Sequence, residues 1–255
     1  MAEGDTILRA ARRIEAALSG GTVEASAPNP RGRAARIERL DGREFERASA
    51  HGKHLLLHFG ELVLHSHLGM NGSWHVYRRG ESWRKPVGAA WAVLSTERAE
   101  AVQFGGPTLR LLRAESVRRD PILARLGPDI LAPDFDAEQI SRSLASVPDR
   151  GLGDALLDQH LVAGIGNIFK SEACFAAHLD PWQLVADAPT EQLRHVAQAA
   201  HDLMHEAVEA GRQDRAVYKR AGRPCPRCGT PIRSRGQGDA NRTTYWCPSC
   251  QLPSR

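Results

Sequence analysis

Four cysteines near the end of this 255-residue chain stand in two Cys-x-x-Cys pairs, Cys225/Cys228 and Cys247/Cys250. Each pair offers two thiolates to one side of a tetrahedral ion. The residues between the pairs read as a hairpin: Thr230 to Arg235, a turn at Gly236-Gln237-Gly238, then Thr243 to Trp246. This is the spacing of a structural zinc ribbon with four cysteine ligands. Two disulfides are the competing use of the same residues. They belong to oxidising compartments, and the opening residues, with Glu3, Asp5, Arg9, Arg12, Arg13 and Glu15, do not read as a secretory leader. The fifth cysteine, Cys174, lies in an apolar helical run and is expected to be a buried thiol.

A second chemical opportunity lies at the other end. Ile7, Ala10, Ala11, Ile14, Ala17 and Leu18 share one helical face, with Asp5 and Thr6 as caps, so a helix over Thr6 to Leu18 begins almost at the first residue. A packed helix holds the terminal amine in one place. An α-amino group titrates near about 7.7–8.0, so roughly a tenth is free amine at pH 7, far more than for a lysine; a fixed terminal amine is a natural carbonyl nucleophile. Lys53 stands at the mouth of a strand in His51-Gly52-Lys53-His54-Leu55, and Met70 tops the loop His67-Leu68-Gly69-Met70-Asn71-Gly72. Taken alone they read as a solvated lysine and a loop-tip methionine. His65 and His67 share a strand face and could hold a metal, but no third ligand presents itself. His201 and His205, one turn apart, read as ordinary face residues.

Gly164-Ile165-Gly166 precedes a helix beginning at Asn167. Two glycines in a tight turn let backbone amides approach a ligand, and a helix start suits a phosphate. The spacing is too short for a dinucleotide fingerprint and no strand precedes it, so helix-turn-helix presentation of phosphate contacts fits better; an ordinary connecting turn is the alternative.

The elements that must position these residues fall into three stretches. Short β-rich runs at Arg36 to Leu40, Lys53 to Phe59, Leu62 to His67, Trp74 to Tyr77, Trp91 to Leu94, Ala101 to Phe104 and Thr108 to Arg113 indicate a sandwich or barrel. After Arg118-Arg119-Asp120-Pro121 come helical patterns over Asp136 to Val147, Leu152 to Gln159, Asn167 to His178 and Thr190 to Ala210, with Gly211 as a stop. The zinc hairpin closes the chain. Expected boundaries are 1–118, 119–218 and 219–255. With 42% hydrophobic residues the chain can fill real cores, and no run approaches the roughly 20 apolar residues of a membrane span, so a cytoplasmic protein is expected. From residue 211 onward the chain holds ten Lys and Arg against Asp214 and Asp239, leaving 24 basic and 28 acidic residues in the first 210. A basic field confined to the hairpin end is most simply explained by a phosphate backbone, with a solvated charged face as the alternative.

Together these pieces resemble the formamidopyrimidine-DNA glycosylase / endonuclease VIII family of base-excision repair enzymes. The likeness rests on Glu3-Gly4-Asp5 before a helix, Gly52-Lys53-His54-Leu55-Leu56, His67-Leu68-Gly69-Met70, Leu157-Asp158-Gln159 through Glu172, and Arg242-Thr243-Thr244-Tyr245-Trp246-Cys247. Glu3-Gly4-Asp5-Thr6 is more similar to the endonuclease VIII branch, including its actinobacterial forms. The resemblance implies an α+β multidomain fold: an N-terminal β-sandwich with a leading helix, a helix-two-turn-helix domain and a C-terminal zinc β-hairpin finger, with DNA in a cleft between sandwich and helical domain. It implies a bifunctional glycosylase/lyase acting on a flipped nucleotide. The terminal amine, at Ala2 once Met1 is removed, would attack C1′, the base would depart, and the Schiff base would lead to β- and δ-elimination. Glu3 matches the general acid, a role that needs a carboxyl pKa raised by burial beside phosphate. Lys53 matches the strand lysine that holds phosphate and lesion near the amine. Asn167, Lys170, Arg242 and the amides from Gly164 to Gly166 would bind phosphates, and Met70 matches the wedge that fills the vacated stack. The implied cofactor is one zinc ion. The implied partner is double-stranded DNA with a damaged or abasic site, with single-stranded DNA left open, bound by a monomer in the bacterial nucleoid.

Two departures qualify the match. Family members typically carry Pro where this chain has Ala2, so its terminal amine would be primary, without the fixed ring or the iminium a secondary amine forms directly. This means either altered chemistry or a site arrested before reaction. The loop Gln103-Phe104-Gly105-Gly106-Pro107 lacks the Arg-rich wedge of the formamidopyrimidine branch, which leaves the second void-filler unassigned and favours oxidised pyrimidines over oxidised purines as substrates. A DNA-damage-binding protein without turnover is the alternative from a different class; Glu3 and Lys53 argue against it, because a pure binding module needs neither.

Overall fold

Ile7, Ala11, Ile14 and Leu18 recur at spacings of four, three and four, and all four are buried. They form one side of α1 (Gly4–Leu18). The structure, a computed structural model, describes residues 2–252. These fold as two compact units, the first ending at Arg125 and the second beginning at Leu126.

In the first unit α1 is followed by β1 (Thr22–Ser26), α2 (Pro30–Ala34), a 3₁₀ turn at Ile37–Leu40, β2 (Arg43–Glu44), β3 (Arg47–His51), β4 (His54–Phe59), β5 (Leu62–His67), β6 (Ser73–Arg78), β7 (Ala90–Ser95), β8 (Ala99–Phe104) and β9 (Thr108–Arg113). They make two antiparallel sheets, ordered β2-β1-β7-β8-β6 and β3-β4-β5-β9. One cluster joins them: the inward residues Leu55, Leu57 and Phe59 of β4 and Leu62 and Leu64 of β5 meet the apolar face of α1 and Val23, Leu94 and Ala101 of the five-stranded sheet. Each fully buried Leu, Ile or Phe contributes roughly 1.5–3 kcal/mol. The fold is the expected sandwich with a leading helix.

Strand periodicity dictates what the other face of the four-stranded sheet carries. His54 pairs with His67, Leu56 with His65, His65 with Arg110, and His51 with His54. Directly opposed residues share a face, so this register gathers His51, His54, His65, His67 and Arg110 away from the main core. The 3₁₀ turn Ala114–Arg119 packs against β5 and β9 on this unit.

The expected strand at Arg36 to Leu40 is instead the 3₁₀ turn Ile37–Leu40, entered through a left-handed Arg36. Its buried residues are Ile37 and Leu40, three apart, which is a helical and not an alternating pattern. Strands β1, β2 and β3 were not anticipated; β1 alternates buried and exposed, but its inward residues are only Val23 and Ala25.

The second unit contains α3 (Ala137–Ala145), α4 (Leu152–Leu157), α5 (Asn167–Ala176) and α6 (Thr190–Ala210), then β10 (Arg233–Gln237) and β11 (Arg242–Trp246). The helices close over a core that includes Ile140, Leu144, Leu156, Phe169, Val196 and Met204. Gly211, at φ 70°, ends α6 as anticipated. A smaller core of Phe175, Val217, Cys225, Ile232 and Cys247 sits under the hairpin. The hairpin turn lies at residues 238–241 and not at Gly236-Gln237-Gly238: Gly236 and Gln237 pair with Thr243 and Arg242, and Asn241 takes the left-handed conformation at φ 45°. No helix of the described residues is long and apolar enough to cross a membrane.

Candidate functional site

The first group of residues sits at one end of the four-stranded sheet. Ala2 is half-buried against the core and its N–H points to the Gly69 carbonyl at 3.4 Å. Glu3, the N-cap of α1, is fully buried; its carbonyl accepts from Thr6 N at 3.0 Å and Ile7 N at 3.2 Å. Lys53 occupies the two-residue turn between β3 and β4, where Gly52 supplies φ 56°, the left-handed value that a tight hairpin requires at its first central position. Across from that turn, His67 ends β5. Burial, and then the charge of Lys53, hold His67 below the ordinary imidazole value, so Lys53 lies within electrostatic reach of that ring. The chain leaving His67 is the loop that carries Gly69 and Met70, and Met70 is 65% exposed. The N-terminal residues, Lys53 and the Met70 loop thus share one neighbourhood through β-register and a backbone contact.

Histidine 65 does have further imidazole company, contrary to the expectation from sequence. His54 Nδ1 and His65 Nε2 lie 2.8 Å apart, and the rings of His54 and His67 are 4.7 Å apart. The third imidazole comes from the neighbouring strand, invisible to a reading along one strand. A direct nitrogen-to-nitrogen hydrogen bond occupies the lone pair a metal would need. The only group of three or more metal-ligating side chains among the described residues is the cysteine set. Behind the histidines, Arg110 donates from Nε to His65 Nδ1 at 2.9 Å and from Nη2 to Asp120 Oδ1 at 2.6 Å. Burial alone would raise Asp120, but the Arg110 hydrogen bond and the N–H groups of Leu123 and Ile122 hold it below its ordinary value.

The four sulfur atoms of Cys225, Cys228, Cys247 and Cys250 lie within 4.8 Å of one another, with Cys225 to Cys250 at 3.9 Å and Cys228 to Cys247 at 3.4 Å. A tetrahedral ion with Zn–S bonds of about 2.3 Å requires sulfurs at about this separation, so the set fits one structural zinc ion. Cys174 is the buried thiol anticipated, pushed up to about 12 by burial.

Helix α5 carries the hairpin. Asn167 Nδ2 donates to Thr243 O at 2.7 Å, Lys170 Nζ donates to Thr244 Oγ1, and Ser171 Oγ accepts from Tyr245 N at 3.5 Å. Successive residues of β11 are thus read off by one face of the helix. Glu172 accepts from the N–H groups of Ala216, Val217 and Tyr218 at 2.9, 3.1 and 2.7 Å, anchoring the segment that leads into the finger. Arg227 donates to Phe175 O at 2.6 Å and stacks on the Phe175 ring at 4.1 Å, placing a cation at the helix C-terminus. Two assignments change accordingly. Lys170 is fully buried and joins α5 to the hairpin, so it does not present its ammonium to a phosphate. The Gly164 N–H is donated to Gln159 Oε1 at 3.1 Å, while Gln159 Nε2 ties Leu157 O and Ile165 O at 2.8 and 3.0 Å; that amide is committed inside the turn. Gly164 itself, at φ 107°, takes a backbone conformation that side-chain-bearing residues rarely adopt.

Asn167 is 6% exposed, and its Oδ1 is buried without a hydrogen-bond partner among the described residues. Gly166 is the buried N-cap of α5. Arg242 opens β11, next to the Thr243 carbonyl that Asn167 holds, and is exposed. Sequence reasoning missed Gln159, Glu172, Thr244 and Gln237, whose Oε1 accepts from Thr244 Oγ1 at 2.6 Å and whose Nε2 donates to Pro181 O at 2.6 Å. Polar residues beside a glycine turn and within the short hairpin strands were the available signal.

A helix that rises from a Gly-x-Gly turn and carries a four-cysteine hairpin, in a chain that opens with a helix packed into a β-sandwich, is the architecture of one class of base-excision DNA glycosylases. Comparison with known proteins narrows the class. Residues 1–108 match the formamidopyrimidine-DNA glycosylase N-terminal domain, 126–218 the formamidopyrimidine-DNA glycosylase H2TH domain, and 222–252 the zinc finger found in FPG and IleRS. A Streptomyces coelicolor protein named "Probable endonuclease 8 2" is 41% identical, over 98% of this chain and 94% of its own. The DNA-(apurinic or apyrimidinic site) lyase Nei2 of Mycolicibacterium smegmatis is 35% identical over the whole of both chains. A solved formamidopyrimidine-DNA glycosylase of Lactococcus lactis, non-covalently bound to DNA containing an AP site, shares the fold at TM-score 0.84 and 22% identity, over 98% of this chain and 99% of its own. The chain belongs to the formamidopyrimidine-DNA glycosylase / endonuclease 8 family of DNA glycosylases and AP lyases.

Proposed function

We propose that this chain excises oxidised pyrimidines from double-stranded DNA and then cleaves the strand at the abasic site, using the amine of Ala2 after removal of Met1. The observation that carries the reading is the placement of Ala2 and the buried Glu3 beside the loop that continues from His67, with Lys53 on the facing turn. The amine nitrogen bonds to C1′ as the C1′–base bond breaks. Glu3 protonates O4′ as the sugar opens, leaving a Schiff base between Ala2 and C1′. The Schiff base acidifies the C2′ proton; its removal expels the 3′ phosphate, and a second elimination expels the 5′ phosphate. A primary amine gives an imine that must gain a proton before it withdraws electrons as strongly as the iminium of a secondary amine. The chemistry is therefore slower with Ala2 than it would be with Pro at that position. Lys53 holds phosphate near the amine, Met70 enters the vacated stack, and Asn167, Gly166 and Arg242 take flanking phosphates. The protein acts as a monomer, with one zinc ion holding the hairpin that presents Arg242.

Borohydride trapping on an abasic-site duplex tests this, with the natural chain, Ala2→Pro and Glu3→Gln each checked by mass for Met1 removal. A covalent adduct with the natural chain is expected, and a faster one with Ala2→Pro. An adduct in Ala2→Pro only would make the natural chain a lesion binder with a disabled nucleophile. Cleavage of single-stranded abasic DNA, run in parallel, sets the strand preference.

A further inference from the structure

We propose that Asp120, Arg110, His65 and His54 form a one-directional hydrogen-bond chain that leaves the His54 Nε2–H as its terminal donor, on the residue next to Lys53 in the chain, where it takes an acceptor oxygen of the bound nucleotide. The inference rests on the function proposed above, and makes His54 a substrate-contacting residue with the other three as positioning residues. Direction follows from the donors. A guanidinium can only donate, so the 2.9 Å contact from Arg110 Nε makes His65 Nδ1 an acceptor. The single proton of neutral His65 is then on Nε2, which donates to His54 Nδ1 at 2.8 Å. His54 in turn must carry its proton on Nε2, at the end of the chain. Arg110 cannot turn away, because Asp120 Oδ1 holds its Nη2 at 2.6 Å and is itself fixed by Ile122 N at 3.1 Å and Leu123 N at 3.2 Å.

Both imidazoles are neutral near pH 7. Burial, followed by His67, His65, His51 and Arg110, lowers His54 to about 3. Burial and then Arg110, opposed by Asp120, lower His65 to about 4. The titratable and charged groups acting on this pair are His51 on β3, His67 on β5, Arg110 on β9 and Asp120 beyond it, while Lys53 on the turn acts on His67. Two of these, Lys53 and Arg110, are cations. A neutral donor holds a substrate oxygen without adding a third positive charge beside Lys53, and its hydrogen bond does not titrate between pH 6 and 8. The 4.7 Å contact between the His54 and His67 rings carries the same constraint to the end of β5, whose loop reaches Ala2.

Long-range proton–nitrogen correlation spectra of the full zinc-loaded chain read the tautomers directly. His54 and His65 are both expected as Nε2–H and neutral from pH 8 to about 5.5. An Nδ1–H signal for His54, or an imidazolium at pH 7, overturns the proposal. Single-turnover cleavage of an abasic duplex gives the second readout. His54→Leu should lower the rate about tenfold across pH 6–8, the loss of one neutral hydrogen bond, whereas His54→Gln, which keeps a donor at the ε position, should stay within about twofold. A His54→Leu variant cutting at the natural rate refutes the substrate contact. Should that variant fail to fold, the natural chain still decides: its His54 Nε2 signal must move when a non-cleavable abasic-site duplex binds, and an unmoved signal is a refutation. Absence of any borohydride adduct overturns the function proposed above and leaves the tautomer measurement unaffected.

Discussion

Lowering the pH from 7 to 5 should destabilise the first unit by about 4 kcal/mol through His54 and His65 alone. Each imidazole is lowered in the folded chain, to about 3 and about 4, chiefly by burial. A histidine with a depressed folded value contributes stability that is fully present above its unfolded value of about 6.5 and is lost as pH falls toward the folded value. At pH 5 the unfolded ring is almost wholly protonated while both folded rings remain neutral. Averaged over the interval the unfolded state binds roughly 0.7 more proton per site, which over two pH units gives about 2 kcal/mol each. The result is insensitive to how deep the folded values lie, because pH 5 is above both. Ordinary unfolded carboxylates titrate below this window, so they do not obscure it. His58, His67 and His75 are also lowered, mainly by burial, and add in the same direction.

Native-state amide exchange provides a local assay, since Leu55, Leu57, Val63 and Leu64 lie in the centre of the paired strands β4 and β5. After correction for intrinsic rates, their protection should fall by at least about three orders of magnitude between pH 7 and 5, the part that His54 and His65 supply. A His54→Leu/His65→Leu chain should show a much flatter profile, retaining only the slope of the remaining histidines. Natural-chain protection that falls less than tenfold, or an equal fall in the double variant, would refute the assignment of these two rings as buried and neutral.

Glu172→Ala strips acceptors from three N–H groups, of which those of Val217 and Tyr218 are buried; at about 1–3 kcal/mol for each buried group the second unit should lose roughly 2–6 kcal/mol, and a chelator should withdraw zinc faster. Urea unfolding and a zinc-sensitive dye measure both, and a loss below about 1 kcal/mol would contradict the anchoring role. Arg242→Ala should weaken DNA binding and reduce the slope of log K against log salt by about 0.9, one phosphate contact, as read by fluorescence anisotropy over a salt series; an unchanged slope would remove Arg242 from the phosphate set.

What was legible in the sequence was whatever a short window could encode. Cys225 to Cys250 specify their own geometry because four thiolates and a hairpin suffice, and α1 was readable because Ile7, Ala11, Ile14 and Leu18 repeat within one helix. The misreadings share a physical cause, which is that a partner far along the chain decides which way a side chain faces. Lys170 follows a helix start and looks poised for phosphate, yet Thr244, 74 positions away, draws it inward. Gly236-Gln237-Gly238 has turn composition, but Gln237 is a buried strand residue committed to Pro181 and Thr244, which moves the turn to a left-handed Asn241. His65 and His67 looked like two ligands without a third because alternation along β5 reveals neither His54 on β4 nor Arg110 on β9. Register, not composition, turns these four residues into one network, and register is fixed only when the apolar faces of β4 and β5 dock on α1. The same cores that stabilise the sandwich therefore set the protonation pattern beside Lys53, so a core substitution that slips β5 by one residue would take His65 and His67 off this face and break the chain before it touched any catalytic group.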